Sequence, residues 1–316
     1  MITENTLLIL GAGASKPYGY PTAAELRVQI IKNLLKLLKT EITSNNQNSD
    51  FDNLPFIRQV KDLIYTFDRS STSSIDLFLT RNQKYYRLGK EIIAFLLAHY
   101  ESNSKFREEV EKPELDWYSY LYNIMTEEIT SPTDIAKFAD NKISILTFNY
   151  DRSFEHFFYE SLFNSFTTKR NEIQGLMHNF KLVHVYGKLA PLKWEGGDAL
   201  DYQSEYLRIN YEGFASNIKI IYDERNSVQA KISTMITEAK NIFFLGFGYA
   251  EENLKALGLD NPILHMGQRF YGTALGSTKK EITKVISLLR KNNSQIVPEK
   301  FNIENCDTLT LLKNHL

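Results

Sequence analysis

Short runs of consecutive aliphatic residues alternate along the chain with longer segments in which apolar residues recur every three or four positions. An uninterrupted apolar run of four to seven residues is typical of a strand buried on both faces of a parallel sheet. A spacing of three or four predicts an amphipathic helix. The runs predict strands over residues 7–10, 142–148, 181–187, 219–222, 241–245 and 269–274.

Strands that alternate with helices predict an α/β fold in which a mostly parallel, doubly wound sheet of the Rossmann-like kind is covered on both faces. No strand signal interrupts the chain from about residue 40 to residue 140, and this segment is predicted to be a large α-helical insertion. Its apolar spacing predicts helices over residues 56–67, 74–79, 85–100 and 115–129. We therefore expect one domain over residues 1–316, with the insertion as a helical subdomain inside it.

Two local signals follow the first predicted strand. Thr22 and Glu25 form the pattern of a capping box, which predicts the start of a helix there. The polar stretch of residues 43–50 predicts a surface loop. Further helices are predicted over residues 154–163, 228–239 and 279–289.

Residue types suited to ligand binding stand where the predicted strands end. Ligands of open α/β sheets bind beyond the carboxyl ends of the strands, so we expect these residues to line one crevice. Glycine at such a position lets the backbone approach a bound group closely. In chain order these strand ends carry Gly11 to Ser15, Thr147 to Asp151, His184 to Gly187, and Gly246 to Gly248.

The first glycine turn does not match the dinucleotide fingerprint of dehydrogenases. That fingerprint places a third glycine three residues after the second, but Lys16 follows Gly13 at that spacing and the next glycine is Gly19. A tight turn that needs glycine for structural reasons alone remains an alternative interpretation of this stretch.

Composition excludes several classes of function. The 37 Lys and Arg residues balance 38 Asp and Glu residues, so the net charge of −1 predicts no direct binding to nucleic acid. The single cysteine, Cys306, excludes an intrachain disulfide and a zinc site of four cysteines, and we expect no bound metal. No apolar run approaches the length of a membrane span, and the first residues lack the pattern of a signal peptide. We expect a cytoplasmic protein without a membrane association.

Taken together, the strand ends resemble the sirtuin family, and in particular the sirtuin-like domains of bacteria. The family's glycine-rich turn and its following loop are matched by Gly11, Ala12, Gly13, Ser15, Gly19 and Pro21. Its T-x-N-x-D strand end is matched by Thr147, Asn149 and Asp151, and a histidine near a glycine and a second glycine turn follow in the family's order. The resemblance implies that NAD is bound by Gly11, Ala12, Gly13, Ser15, Pro21, Thr147, Asp151, Tyr186, Gly187, Gly246, Gly248 and Asn253.

The chemistry of NAD cleavage suits these residue types. Nicotinamide leaves NAD as a neutral group, so a site must position the ribose and a nucleophile instead of supplying a general acid. Asn149 is expected to hold a ribose hydroxyl or a water molecule. His184 is expected to accept a proton. The glycine turns are expected to offer N–H groups to the diphosphate.

Several assignments within this site stay open. In most sirtuins the catalytic histidine directly precedes the glycine, where this chain has Tyr186. His184 lies two residues earlier and would share a strand face with Tyr186. Either His184 is the base, or Tyr186 is the functional group and His184 a structural histidine. Asn149 and Asp151 can also be turn and helix-capping residues. Asp223 and Glu224 suit either an acidic site position or a solvated turn.

The missing zinc ribbon separates this chain from the protein deacylases of the family, which carry four cysteines. Without that module water is the natural nucleophile, so the resemblance implies an NAD glycohydrolase that releases nicotinamide and ADP-ribose. Bacterial domains of this kind are associated with antiphage defence. The resemblance therefore also implies control by assembly into a homo-oligomer or by a partner such as a HerA-type ATPase or an Argonaute-like protein. The alternatives are a non-catalytic regulatory subunit that binds NAD or ADP-ribose and, less favoured, a deacylase.

Overall fold

A computed structural model describes residues 1–45, 51–106, 112–166, 169–197, 199–205, 210–220 and 226–316. Its strands form one six-stranded sheet in which every neighbouring pair is parallel. They are β1 (Thr6–Leu10), β2 (Ile143–Thr147), β3 (Leu182–His184), β4 (Asn241–Leu245), β5 (Arg269–Thr273) and β6 (Phe301–Glu304). The predicted Rossmann-like α/β fold is confirmed.

The spatial order of the strands is β3-β2-β1-β4-β5-β6. This is the order of a doubly wound sheet, and it reverses direction between β1 and β4. Since the crevice of such a sheet opens at this reversal, the glycine turns that follow β1 and β4 lie beside each other at its mouth.

Helices connect the strands and cover both faces of the sheet. The described α-helices are α1 (Ala12–Ser15), α2 (Ala23–Lys32), α3 (Leu34–Asn45), α4 (Pro55–Arg69), α5 (Ile75–Arg81), α6 (Tyr86–Ser102), α7 (Trp117–Thr126), α8 (Ser153–Phe166), α9 (Arg170–Asn179), α10 (Tyr211–Phe214), α11 (Asn226–Glu238), α12 (Glu251–Ala256), α13 (Lys279–Arg290) and α14 (Thr308–His315). Short 3-10 helices span Lys16–Tyr18, Phe51–Asn53, Gln83–Tyr85, Pro113–Leu115, Pro132–Asp140, Lys193–Glu195, Ala215–Asn217 and Pro298–Lys300. None of the helices within the described ranges combines the length and the apolar character that crossing a bilayer requires.

The described part of the chain between β1 and β2 contains helices joined by loops and no strand, and α4 to α7 correspond to the helices predicted for the insertion. These helices share one hydrophobic core with a face of the sheet. Leu8 and Leu10 of β1 belong to the same buried cluster as Phe67 of α4 and Trp117 of α7. The alternate residues of β1 pack into a second cluster on the other face. The insertion therefore packs as part of the sheet's own core.

Two strand predictions need correction, and one strand was missed. β3 ends at His184, because the chain turns at Val185 and Tyr186 and the N–H of Gly187 donates back to the carbonyl of His184 at 3.4 Å. Lys219 and Ile220 lie outside any strand, and residues 221–222 lie outside the described residues. The strand β6 was not predicted, because this four-residue edge strand alternates buried and exposed positions instead of forming an apolar run.

The capping box at the start of α2 is confirmed. The Oγ1 of Thr22 accepts from the N–H of Glu25, and the carboxylate of Glu25 accepts from the N–H of Thr22 at 2.9 Å. The predicted loop of residues 43–50 is partly wrong, since α3 continues to Asn45. The rest of that loop, and Asp223 and Glu224, lie outside the described residues.

Candidate functional site

The glycine turns that follow β1 and β4 contact each other directly. The N–H of Gly11 donates to the carbonyl of Leu245 at 2.9 Å, and that of Gly13 donates to Gly246 at 3.0 Å. A Cβ at Gly11 would lie 2.5 Å from the carbonyl oxygen of Gly246. The glycines are therefore required by the close approach of two backbones, as the structural interpretation of the first turn supposes.

This contact uses N–H groups that the sequence assigned to a diphosphate. The N–H of Gly246 is also engaged, because it donates to the Oγ1 of Thr273 at 2.8 Å. The N–H groups of Gly11, Gly13 and Gly246 thus bond within the protein. Gly248 differs, since no described atom lies within 4 Å of a Cβ placed there. The open side of the second turn is at Gly248.

Asn149 joins the end of β2 to the first glycine turn. Its Nδ2 donates to the carbonyl of Gly11 at 3.0 Å and to the Oγ of Ser15 at 2.9 Å. Its own N–H donates to the Oγ1 of Thr147 at 3.1 Å. These bonds set the orientation of the amide, and no described residue donates to its Oδ1. Asn149 is 8% exposed. The orientation leaves the carbonyl oxygen of the amide as an acceptor for a ligand.

Other residues of the first motif surround this contact. Ser15, at the end of α1, is buried. The indole N–H of the fully buried Trp117 donates to the carbonyl of Ala14 at 2.8 Å, so the insertion helps to hold the turn. Ala12 begins α1, and Pro21 directly precedes the residue that caps α2.

Asp151 has the contacts of a helix-capping residue. Its Oδ1 accepts from the N–H of Ser153, the first residue of α8, at 3.1 Å, and it also accepts from the hydroxyl of Ser153. Burial raises the pKa of the Asp151 carboxyl, although hydrogen bonds from Ser153 and Ser15 oppose the shift. The hydrogen bonds from Ser153 to Asp151 are thus those expected of a residue that caps α8.

His184 lies at the end of β3 with both ring nitrogens engaged. Its Nδ1 lies 2.9 Å from the backbone carbonyl oxygen of Asn149, and its Nε2 lies 2.9 Å from the Oε1 of Glu155. A carbonyl and a carboxylate only accept hydrogen bonds, so both nitrogens of His184 must donate. Both nitrogens of the ring are therefore engaged by acceptors of the protein itself. This arrangement does not provide the base that the sequence assigned to His184.

Glu155 is the buried centre of an ionic cluster that also contains His184, Lys188 and Glu195. The Nζ of Lys188 lies 3.3 Å from Glu155 and 2.6 Å from Glu195. Burial raises the pKa of the Glu155 carboxyl, but the positive charges of His184 and Lys188 outweigh it and hold that pKa at about 2. Glu155 is therefore ionised at neutral pH.

Replacement of Glu155 by glutamine is expected to remove a stabilisation that depends on pH. The folded-state pKa is lowered from 4.5 to about 2, which corresponds to about 3 kcal/mol. A lowered carboxyl pKa contributes stability above the unfolded-state value and loses it as the pH falls toward the folded-state value. Urea unfolding should show the difference between wild type and Glu155→Gln shrink by about 2 kcal/mol between about pH 5 and pH 3. A difference that stays constant over this range would contradict the ion cluster.

Tyr186 does not share a face with His184, contrary to the expectation from a continuous strand. The turn after His184 places Tyr186 in the second hydrophobic cluster, edge-on to Phe148 at a centroid distance of 5.4 Å. The Tyr186 hydroxyl donates to the Oδ1 of Asn253 at 3.2 Å. Two predicted site residues are thereby brought together on one side of the sheet, while His184 faces α8 on the other.

Gly187 closes the turn with φ of +75°, a conformation that favours glycine. A Cβ there would lie 2.2 Å from the carbonyl oxygen of Asn217. The close packing of the backbone therefore also explains why position 187 is a glycine.

Sequence reasoning missed Glu155, Lys188, Tyr150 and Asp76. Glu155 carried a signal, because a carboxylate among the phenylalanines at 154, 157 and 158 needs a partner when the helix face is buried. Tyr150 lies between Asn149 and Asp151, and its hydroxyl donates to the Oδ1 of Asp76 at 2.8 Å. Nothing in the sequence places Asp76, on α5 of the insertion, next to this loop.

Two surface clefts, of about 360 and 170 Å³, lie at the other edge of the sheet. Asn141 and Lys181 line the larger cleft, and Glu4 and Arg269 line the smaller one, so both open where strands begin. Neither cleft includes a predicted site residue. The polar groups that converge are at the carboxyl edge, and that edge is the candidate site.

Within the described ranges, no three His, Cys, Asp or Glu side chains are grouped as ligands for a metal ion. Comparisons of the chain with models of known protein families and with curated proteins find no match.

Proposed function

We propose that the chain binds NAD at the carboxyl edge of its sheet and hydrolyses it to nicotinamide and ADP-ribose. The observation that carries this proposal is the orientation of Asn149. Gly11 and Ser15 hold its amide nitrogen, so the amide oxygen is fixed as an acceptor at the end of β2. A fixed neutral acceptor can hold a ribose hydroxyl or a water molecule without competing for protons.

The position of Asn149 in the fold supports the same proposal. β1 and β2 are neighbours, and β1 also borders the point at which the strand order reverses. Nucleotides bind at this point in doubly wound sheets because helix and turn N–H groups from both halves point toward it. Gly248, with no described neighbour within 4 Å, leaves room for a ligand beside the second turn.

In this proposal His184 positions Asn149 instead of accepting a proton. Its Nδ1–H donates to the backbone carbonyl of Asn149, and Glu155 fixes the ring from the other side. The ring is nearly inaccessible, with 7% of the side chain exposed.

Replacement of Asn149 by alanine is expected to lower the rate of nicotinamide release by about 10²-fold or more, because the amide would hold the reacting ribose or water. The measurement is release of nicotinamide from NAD by the purified chain, alone and with the proteins encoded beside it. Asn141→Ala is the matched control. Asn141 is also hydrogen-bonded through its amide, donating to the carbonyl of Met125 at 2.9 Å, but it lies at the opposite edge of the sheet.

The hydrolase proposal requires that Asn141→Ala keep its activity and that both variants melt cooperatively. Equal release by wild type and Asn149→Ala would contradict the assigned role of Asn149. If no preparation releases nicotinamide while NAD still binds, the proposal is wrong.

That last outcome would favour a second candidate, a regulatory subunit that binds NAD or ADP-ribose without turnover. The engagement of both nitrogens of His184 is the specific observation in its favour, since the family's expected base is then missing. Under either function we propose that assembly, or a partner such as a HerA-type ATPase or an Argonaute-like protein, controls the chain in antiphage defence. The resemblance in sequence is what supports this role.

A further inference from the structure

Hydrolysis at the candidate site needs an acceptor for the proton of water, and the carboxylates nearest to β2 are mostly engaged. Glu155 is paired with His184 and Lys188, and Glu101 is paired with Arg152. Asp151 is held by the N–H and hydroxyl of Ser153 at the start of α8. A free acceptor must come from another element.

Asp76 is a carboxylate at this edge that has no cationic partner among the described residues. It lies in the first turn of α5 and is only partly buried. Besides the hydroxyl of Tyr150, no other described side chain donates a hydrogen bond to it. Within the described ranges, Asp76 therefore has oxygen lone pairs that no other residue engages.

Tyr150 fixes the position of Asp76 relative to the loop that carries Asn149. Its hydroxyl lies 2.8 Å from the Oδ1 of Asp76 and 2.7 Å from the carbonyl of Lys219. Because Tyr150 directly follows Asn149, this contact joins α5 of the insertion to the carboxyl end of β2. Burial raises the pKa of the Asp76 carboxyl against the opposing effect of the Tyr150 hydroxyl and its own backbone N–H. A raised pKa makes a carboxylate a better proton acceptor at neutral pH.

Asp76 is not needed to cap α5. The Oγ of Ser74 already accepts from the N–H of Leu77 at the start of this helix. The structural role that remains for the Asp76 side chain is its hydrogen bond with the hydroxyl of Tyr150.

Resting on the hydrolase function proposed above, we propose that Asp76 is the general base that activates the attacking water. The oxygen of water forms a bond to C1′ of the ribose while the bond from C1′ to the nicotinamide nitrogen breaks. The electron pair of the broken bond leaves with nicotinamide, which becomes neutral, and the proton of water passes to a carboxylate oxygen of Asp76. The helical insertion thus completes the catalytic site.

The experiment compares wild type, Asp76→Ala and Asp62→Ala for nicotinamide release, with and without sodium azide, and measures NAD affinity by calorimetry. Asp62 is the matched control because its carboxylate also accepts from a tyrosine, Tyr85 at 2.7 Å, but on an exposed face of α4. Azide is already an anion, so it can attack C1′ without a base and give ADP-ribosyl azide.

For Asp76→Ala we expect kcat to fall by about 10²-fold with the affinity for NAD within about twofold of wild type. Azide is expected to restore release by about tenfold or more, with ADP-ribosyl azide as the product. Asp62→Ala should behave as wild type. A loss that azide does not restore, or a wild-type rate in Asp76→Ala, would overturn the role of Asp76 alone. Wild-type protein that releases no nicotinamide under any condition would overturn the hydrolase function and this inference with it.

Discussion

Replacement of Arg152 by methionine is expected to lower the free energy of unfolding by about 3–5 kcal/mol. The guanidinium of Arg152 is fully buried and forms two hydrogen bonds with the carboxylate of Glu101, at 2.8 and 2.9 Å. It also donates to the backbone carbonyls of Pro191, Leu200 and Asp201 at 2.7–3.0 Å. One side chain therefore joins α6 of the insertion, the start of α8 and the loop after β3.

The large expected cost comes from the groups that Arg152→Met would leave behind. The carboxylate of Glu101 would stay buried, with the N–H of Gln203 at 2.8 Å as its main remaining donor. The carbonyls of Pro191 and Leu200 would keep the N–H groups of Leu200 and Lys193 as donors. The main cost is therefore the buried carboxylate of Glu101, which would lose its cation.

Guanidinium chloride unfolding monitored by circular dichroism measures this effect. The double variant Arg152→Met/Glu101→Leu should recover part of the loss, because replacing both charges by apolar groups removes the unpaired carboxylate. As a control, Lys61→Met breaks a 2.7 Å ion pair with Asp52 on the surface and should leave stability close to wild type. A single variant as stable as the double variant would show that Glu101 finds another partner.

Replacement of Gly246 by alanine is expected to destabilise the fold by about 2–4 kcal/mol, the sum of a strained backbone and an overpacked contact. Gly246 has φ of +55°, and a Cβ there would lie 2.1 Å from the N of Ala14 and 2.3 Å from the carbonyl carbon of Gly13. Both neighbours are backbone atoms, so a side-chain rotation cannot relieve the clash. The two glycine turns must separate, and the hydrogen bond from Gly13 to Gly246 would be lost.

Gly248→Ala is the matched control two residues away. Its Cβ would meet no described atom within 4 Å and its φ is not in the left-handed region, so stability should change by less than about 0.5 kcal/mol. Thermal and denaturant unfolding of both variants measure the difference. If both alanine variants were equally stable, the turns would not pack as closely as they do here.

Both predictions concern the same property of the site, which is that distant segments hold its short loops. The turn after β1 is held by the turn after β4 and by Trp117 of the insertion. The loop after β2 is held by Ser15, His184 and, through Tyr150, Asp76. A change in the packing of the insertion would therefore alter the position of Asn149.

Much of the fold could be predicted because buried parallel strands appear in the sequence as continuous runs of apolar residues. All five residues of β1 are buried and four of them are aliphatic, because a strand covered on both faces packs against apolar side chains on each side. Edge strands do not form such continuous apolar runs, so they are harder to recognise in the sequence. β6 alternates, and the chain near Lys219 is apolar because Ile218 and Ile220 pack into the core from a loop.

The sequence by itself determined the α/β class, the helical insertion and the set of strand ends at which polar residues and glycines stand, because these follow from local spacing and from the direction of parallel strands. Only the tertiary structure decided what each group contacts. The partner of His184 is 29 residues away in the chain, and Asp76 is 74 residues from Tyr150. The turn after β3 sends Tyr186 and His184 to opposite faces of the sheet. Such pairings depend on how helices pack across the sheet, and that packing is not encoded in the local spacing of residues.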